Sequence, residues 1–399
     1  MHKRVLSFFF IVLLSVELVF SQSIEGPEIR AKAAVLLDAT TGEVLYSKNP
    51  DEEIPPASLT KLMTIHLALQ KVSRGEIALD EAVELPPESW WMNQPPRSSL
   101  MFLNEGQQVT LKELLLGLAV PSGNDAAVAV AHYASGGVEA FVEDMNREAQ
   151  TLGLTKTRFV EPSGVSEYNF TTAMEYTQFC RAYINFHPEV LKDLHSVKAF
   201  TYPKVTNYPP YWISKKDEIT QYNNNNLLGS LGVDGLKTGF IEESGYNIAL
   251  TAEQNGTRYV AVLLGFPGTI SSRAAMQMRA EDGELLLSWA FDNYKTVKPL
   301  MDSFPEIAVW KAAENTAEII PMDSLNFTAR TNRAEVLNWT INIDEPIIAP
   351  LPAGTKIGNI VFYDGQGELH RVPMITKNAI EKGNFFKRIW HSIKLFFMK

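Results

Sequence analysis

The chain has 399 residues, of which 45% are hydrophobic and 21% charged. That suits a globular protein of two or three domains and excludes a disordered or collagen-like chain. A net charge of −10 argues against nucleic acid as the main partner. The single cysteine, Cys180, rules out an intramolecular disulfide and a thiolate metal cluster.

The first element is not part of the fold. A basic head, His2-Lys3-Arg4, precedes an apolar run from Leu6 to Phe20 and a small residue, Ser21. This is the pattern of a secretory signal peptide over residues 1–21, with an uncleaved membrane anchor as the competing reading. Next, Ala33 to Asp38 and Glu43 to Ser47 flank Ala39-Thr40-Thr41-Gly42, a hairpin pattern. Ser58 to Lys71 is helical in period, and Thr110 with Glu113 has capping-box spacing. Helices are expected over Asp125–Ala134, Val138–Leu152 and Thr172–Phe186, and a turn at Asn223–Asn226. Tyr246–Glu253 and Arg258–Leu264 flank Asn255-Gly256, the strongest short hairpin signal, and Ile270–Tyr294 reads as a long closing helix. The order predicts an α+β domain over residues 22–297 whose first and last segments share a sheet.

From residue 298 to 378 the runs are short, β-rich and broken by Pro, Gly and Asn, which predicts a small all-β domain. Residues 384–399 differ again. At 100° per residue, Phe385, Phe386, Ile389, Trp390, Ile393, Phe396 and Phe397 share one arc, while Lys387, Arg388, His391, Lys394 and Lys399 take the other. A basic amphipathic helix on an acidic protein suits an anionic membrane surface. The alternative is a helix docked on its own protein.

Three motifs stand in order: Ser58-Leu59-Thr60-Lys61, Ser122-Gly123-Asn124 and Lys237-Thr238-Gly239. S-x-x-K arises by chance about once or twice in a chain this long and K-T-G about 0.1 times, so the ordered set carries the weight. A serine hydroxyl needs a base to become a nucleophile, and a lysine three residues on in a helix can reach it. Pro55-Pro56 places Ser58 at a helix start, where the dipole favours developing negative charge. To act as base, Lys61 must be neutral, through burial or a neighbouring cation such as Lys237. Cys180 lies in an apolar helical setting and reads as a buried structural thiol. The seven histidines show no metal-ligand spacing, so neither metal nor cofactor is expected. Trp90-Trp91 with Pro95-Pro96 either line a cleft rim or pack.

The three motifs are the set shared by penicillin-binding proteins and class A β-lactamases. With Pro56 to Thr64, Ser98-Ser99-Leu100-Met101-Phe102, Asp125-Ala126 and Val233-Asp234-Gly235-Leu236, the chain resembles the low-molecular-mass D-alanyl-D-alanine carboxypeptidases from about Ala31 to Tyr294, and more weakly to its end. The resemblance implies a β-lactamase/transpeptidase-like domain and hydrolysis of the terminal D-alanine of peptidoglycan pentapeptides through an acyl-enzyme. β-Lactams would act as covalent inhibitors, on the periplasmic side of the bacterial inner membrane. It implies Ser58 as nucleophile, Lys61 as base and Ser122 as proton relay. Asn124 would bond the substrate backbone and Lys61, Lys237 would supply charge, and Thr238 and Arg273 would bind the terminal carboxylate. Gly239 completes the third motif, and the N–H groups of Ser58 and Phe240 would form the oxyanion hole. Ser163-Gly164-Val165 departs from the family's His-Gly-Leu and reads as loop variation. The rivals are a DD-endopeptidase, a non-catalytic wall-binding protein, and a class A β-lactamase, whose deacylating Glu pattern Glu161 does not match.

Overall fold

Alternate side chains of a strand face opposite sides of its sheet. Strand β1 (Ala33–Asp38) is buried throughout, so it needs cover on both faces. Ala33, Val35 and Leu37 enter one apolar core, and Ala34 and Leu36 another. The computed structural model of the protein describes residues 25–212, 217–268, 272–301, 303–334 and 337–397. The expected signal peptide, residues 1–21, lies outside them.

β1 forms a hairpin with β2 (Val44–Lys48). Asp38 Oδ1 accepts the N–H groups of Thr40 and Thr41 in the turn. The helical part follows: α1 (Lys61–Ser73), α2 (Leu111–Ala119), α3 (Asn124–Ser135), α4 (Val138–Thr151) and α5 (Ala173–Phe186). The capping box expected at Thr110 is present, with Glu113 N–H on Thr110 Oγ1 and Thr110 N–H on Glu113 Oε2. A small ribbon, β3 (Ala199–Thr201) with β4 (Thr220–Tyr222), leads to three long strands. These are β5 (Val233–Ile241), β6 (Gly245–Gln254) and β7 (Thr257–Phe266), followed by α6 (Arg273–Asn293). The main sheet is antiparallel with order β2-β1-β7-β6-β5, so the first and last segments do share it. The α1–α5 layer covers one face and α6 the other. β5 is left as an edge strand facing the helical layer.

The expected boundary at residue 298 falls just after β8 (Tyr294–Val297). β8 pairs with a strand of the β-rich region, Phe327–Arg330. Four strands build the main sheet of that region: Ile319–Pro321, Gly367–Thr376, Lys356–Asp364 and Asn338–Ile343, in that order. Asp38 joins the two parts, because Thr296 and Thr328 both donate their hydroxyls to its Oδ2, at 2.7 and 3.0 Å.

The terminal helix, α7 (Phe385–Phe397), touches the β domain with its polar side. Lys311 N–H donates to His391 Nδ1 at 2.8 Å, and Lys387 Nζ donates to Ala313 O. Its apolar arc stays open, from Ile389 at 45% exposure to Phe386 at 81%. The helix thus docks through its polar side and leaves its apolar arc exposed. Among the described residues no helix is long and apolar enough to cross a membrane.

One buried polar cluster lies behind α1. His66 Nδ1 and His187 Nε2 are 2.9 Å apart, and His66 Nε2 lies 3.0 Å from Glu148 Oε1. Burial, helped by His66, lowers the His187 pKa to about 4, and burial lowers that of His195 to about 3. Both rings stay neutral in the fold, whereas the unfolded chain protonates them near pH 6.5. Their contribution is complete above pH 6.5 and is lost as pH falls towards 4 and 3. Denaturant melts should show stability falling from pH 6.5 to 4, and His187→Gln should flatten that slope by up to one proton. An unchanged slope in the variant would rule out this source of acid sensitivity.

Candidate active site

Ser58 does not open an α-helix directly. It sits in a short 3-10 turn, Ala57–Thr60, that runs into α1. Three residues per turn stack positions i and i+3 one above the other. Lys61 Nζ accordingly lies 3.0 Å from Ser58 Oγ. Ala57, just before the serine, has φ +51°, a left-handed conformation costing about 1–2 kcal/mol in a non-glycine residue.

Lys61 is 0% exposed. Its Nζ has two further partners, Asn124 Oδ1 at 2.8 Å and the Ser163 carbonyl at 2.5 Å. A neutral amine has two N–H donors and one lone pair. Two carbonyl-type acceptors and one hydroxyl match that set, leaving the lone pair for the Ser58 proton. Burial lowers the Lys61 pKa to about 7, against the opposing pull of Glu161 and Asp125. The sequence offered burial or the Lys237 cation as the neutralising agent, and burial is the cause of the lowered value.

The second motif crosses the cleft from this pair. Ser122 has φ +65° and lies at the start of α3. Its hydroxyl is buried and lacks a hydrogen-bond partner among the described residues, yet it lines the cleft with Ser58. Asn124 faces Lys61 as expected, but its amide N–H donates to Ser98 Oγ at 3.1 Å. Asp125, fully buried, accepts the N–H groups of Met101, Phe102 and Leu103. This carboxylate pins the Ser98–Leu103 segment to α3.

The third motif lies on β5. Thr238, Gly239 and Phe240 line the cleft, while Lys237, 2% exposed, lies behind it with Nζ donating to Thr238 O. Burial lowers the Lys237 pKa well below its usual value, aided by Lys61 and Arg279. A Cβ on Gly239 would lie 3.0 Å from both Pro56 O and Ser58 N, so β5 runs directly against the Ser58 turn. That approach brings the Ser58 and Phe240 backbones to one wall of the 480 Å³ cleft.

Arg273 is not brought to the cleft. It is exposed in the first turn of α6, whereas Arg279, 5% exposed, lines the cleft. Six residues rotate a helix by about 240°, which separates the two side chains. Spacing from Lys237 alone missed this because it does not show where α6 begins. A sequence signal did exist. Arg279 shares the stripe of Ala275, Leu286 and Ala290, a position otherwise used for core. Burial lowers its pKa to about 10, so it stays cationic at neutral pH.

Sequence reasoning also undervalued residues 161–165. Glu161 accepts Ser163 N–H and Oγ–H on Oε2, and Gly164 N–H and Asn169 Nδ2 on Oε1. It thereby holds the Ser163 carbonyl against Lys61. Gly164 (φ +82°) lies so close to Ala57 that a Cβ would sit 1.8 Å from Ala57 O. This loop is a wall of the site. The Asn-rich segment is another: Asn223 and Asn225 anchor it through Val197 O and Gly235 O, and Asn224 and Asn226 face the cleft. Pro96 reaches the rim, and Trp90 instead donates its N–H to Leu85 O. Cys180 is a free, buried thiol whose pKa burial raises, as its apolar setting implied.

Comparison with known proteins bears on this geometry. The family described as D-alanyl-D-alanine carboxypeptidase matches residues 20–268, and that described as penicillin-binding protein 5, C-terminal domain, matches 294–382. The D-alanyl-D-alanine carboxypeptidase DacC of Escherichia coli is 33% identical over 384 residues, 94% of this chain and 90% of that one. The crystal structure of penicillin binding protein 5 from Haemophilus influenzae superposes with a TM-score of 0.78 at 30% identity, covering 90% of this chain and 100% of that one. A D-alanyl-D-alanine endopeptidase of Pseudomonas aeruginosa is 31% identical over 241 residues, 59% of this chain and 72% of its own.

Gly164→Ala should cost about 2 kcal/mol or more, since it adds a backbone clash to left-handed strain. Gly136→Ala, at φ +79° with open space around it, should cost only the strain. Equal melting temperatures for the two variants would show that the contact between the 161–165 loop and the Ser58 turn is unimportant.

Proposed function

Because the chain belongs to the D-alanyl-D-alanine carboxypeptidase family, we propose that its cleft works with Ser58 as nucleophile and Lys61 as base. The protein is a serine-type D-Ala-D-Ala carboxypeptidase and a penicillin-binding protein of cell-wall metabolism. The observation that carries the residue assignment is the buried Lys61 Nζ within 3.0 Å of Ser58 Oγ.

In this mechanism the stem pentapeptide lies extended along the free edge of β5. Ser58 Oγ attacks the carbonyl between the two D-alanines as its proton passes to Lys61. The Ser58 and Phe240 N–H groups take the oxyanion, a contribution of about 10²–10³ in rate per donor. The C–N bond breaks, and Ser122, whose hydroxyl has no hydrogen-bond partner among the described residues, passes the proton from Lys61 to the leaving amine. Water then cleaves the Ser58 ester, restoring the serine and releasing the shortened peptide. Thr238 and Arg279 take the terminal carboxylate, with Lys237 behind them holding the Thr238 carbonyl through its Nζ. Arg279 replaces Arg273 in that role. A β-lactam meets the same serine and leaves a ring-opened ester.

The Glu161 carboxylate is occupied by its own loop, which supports slow deacylation of that ester and a carboxypeptidase rather than a β-lactamase. The endopeptidase relative matches 59% of this chain, whereas the carboxypeptidase DacC matches 94% of it, which supports the carboxypeptidase reading. The neutral lysine and its serine disfavour a non-catalytic wall-binding role.

We propose that the enzyme works outside the cytoplasmic membrane, held at its surface by the exposed aromatic arc of α7; the signal-peptide pattern of residues 1–21 supports export. The support is the chemistry of α7: seven large apolar side chains open on one side and cations on the other.

D-Alanine release from a pentapeptide muropeptide should be lost in Ser58→Ala, with rate reduced by about 10⁴ or more. The acylation rate with a labelled penicillin should rise as pH passes through about 7, because Lys61 must lose its proton. Release by Ser58→Ala at the parent rate, or an acylation rate flat from pH 6 to 8, would each overturn the assignment. Deleting residues 384–399 should abolish pelleting with anionic vesicles and leave release from a soluble pentapeptide within about twofold; pelleting at unchanged yield would refute the anchor.

A further inference from the structure

Arg279 is a buried cation with no acidic side chain within salt-bridge distance among the described residues. What holds it is an aromatic ring and a carbonyl. Its guanidinium carbon lies 5.7 Å from the centroid of the Tyr246 ring, and Nη2 donates to Asn224 O at 3.2 Å. Its Nε has no hydrogen-bond partner among the described residues, and the residue lines the cleft. A carboxylate partner within the protein would have neutralised this group, whereas a ring face and one carbonyl leave its charge and an N–H available.

Tyr246 reaches Arg279 by two routes. Its ring lies beneath the guanidinium, and its hydroxyl accepts the Ser272 N–H at 3.0 Å. Ser272 is the N-cap of α6, with Oγ accepting Ala275 N–H. The hydroxyl therefore ties down the start of the helix on which Arg279 sits. Tyr246 is also the cross-strand partner of Phe240, with ring centroids 4.4 Å apart. It is 2% exposed, so its ring is fixed by packing.

We propose that Tyr246 is the positioning residue for Arg279 and thereby sets the enzyme's preference for a substrate ending in a free carboxylate. The inference rests on the reading that Arg279 binds that carboxylate. Removing the ring leaves a cation free to choose other rotamers, and the loss appears only when the substrate carries the negative charge. Damage to the oxyanion wall through Phe240 would instead affect charged and uncharged substrates alike.

The test compares a pentapeptide ending in D-Ala-D-Ala with its C-terminal carboxamide, in the parent enzyme, Tyr246→Leu, Tyr246→Phe and Arg279→Ala. Active sites are counted by covalent penicillin titration, so misfolded protein does not enter the rates. Tyr246→Leu should lower kcat/KM for the acid by roughly 5- to 30-fold, mainly through KM. It should change kcat/KM for the amide less than threefold. Tyr246→Phe keeps the ring and should retain most of the acid preference. Equal losses on both substrates in Tyr246→Leu, or an unchanged acid-to-amide ratio, would overturn the positioning role. An unchanged ratio in Arg279→Ala would overturn the carboxylate reading itself, whatever the tyrosine variants do.

Discussion

The structure depends on one nitrogen. Lys61 Nζ is sealed from water and satisfied by Ser58, Asn124 and Ser163, which come from three separate segments. A buried ammonium would demand a counter-ion or shed its proton. Here no carboxylate touches Nζ among the described residues, and the surroundings suit the amine. The same burial that lowers the Lys61 pKa makes its neighbours indispensable, since each satisfies one polar demand of a buried amine.

Holding three segments around one atom needs rigid supports, and two carboxylates, the buried Asp125 and the half-buried Glu161, supply them. Asp125 collects backbone N–H groups of the Ser98–Leu103 segment, and Glu161 collects those of its own loop. Neither bonds to the nucleophile or to Lys61. Each converts a flexible connection into a fixed wall by satisfying donors that would otherwise seek water. The pull of both charges on Lys61 is real but smaller than the desolvation it experiences. A third carboxylate, Asp38, does comparable work at the junction with the β-rich region, where threonine hydroxyls from β8 and Thr328 converge on it.

The α6 face of the sheet solves a different problem. A cation must be kept in the cleft without being quenched by the protein. An aromatic ring meets that need, because it attracts the guanidinium without taking a proton or presenting a full negative charge. The β domain and α7 lie away from this chemistry. The helix rests on the domain through Lys387 and His391 and leaves its aromatic side chains outward.

Much of this was legible in the amino-acid order. Period-2 runs marked the hairpins, Thr110 and Glu113 marked a helix start, and three short motifs marked residues that the fold brings to one cleft. Local rules suffice for these because strand, turn and helix signals span only a few residues. The partner of Lys61 beyond Ser58 and Asn124 was not legible, since a carbonyl oxygen leaves no trace in residue type, and Ser163 offers only that. Arg273 was chosen by spacing, and Arg279 took the place because the rotation of α6 follows from where its first turn begins. By itself the sequence determined the fold class, the motif residues and the amphipathic tail. Only the tertiary structure decided that Lys61 is dry, that Glu161 and Asp125 hold walls, and that Arg279 faces the cleft. Those outcomes rest on burial and on contacts between segments distant in the chain, and no window of neighbouring residues contains that information.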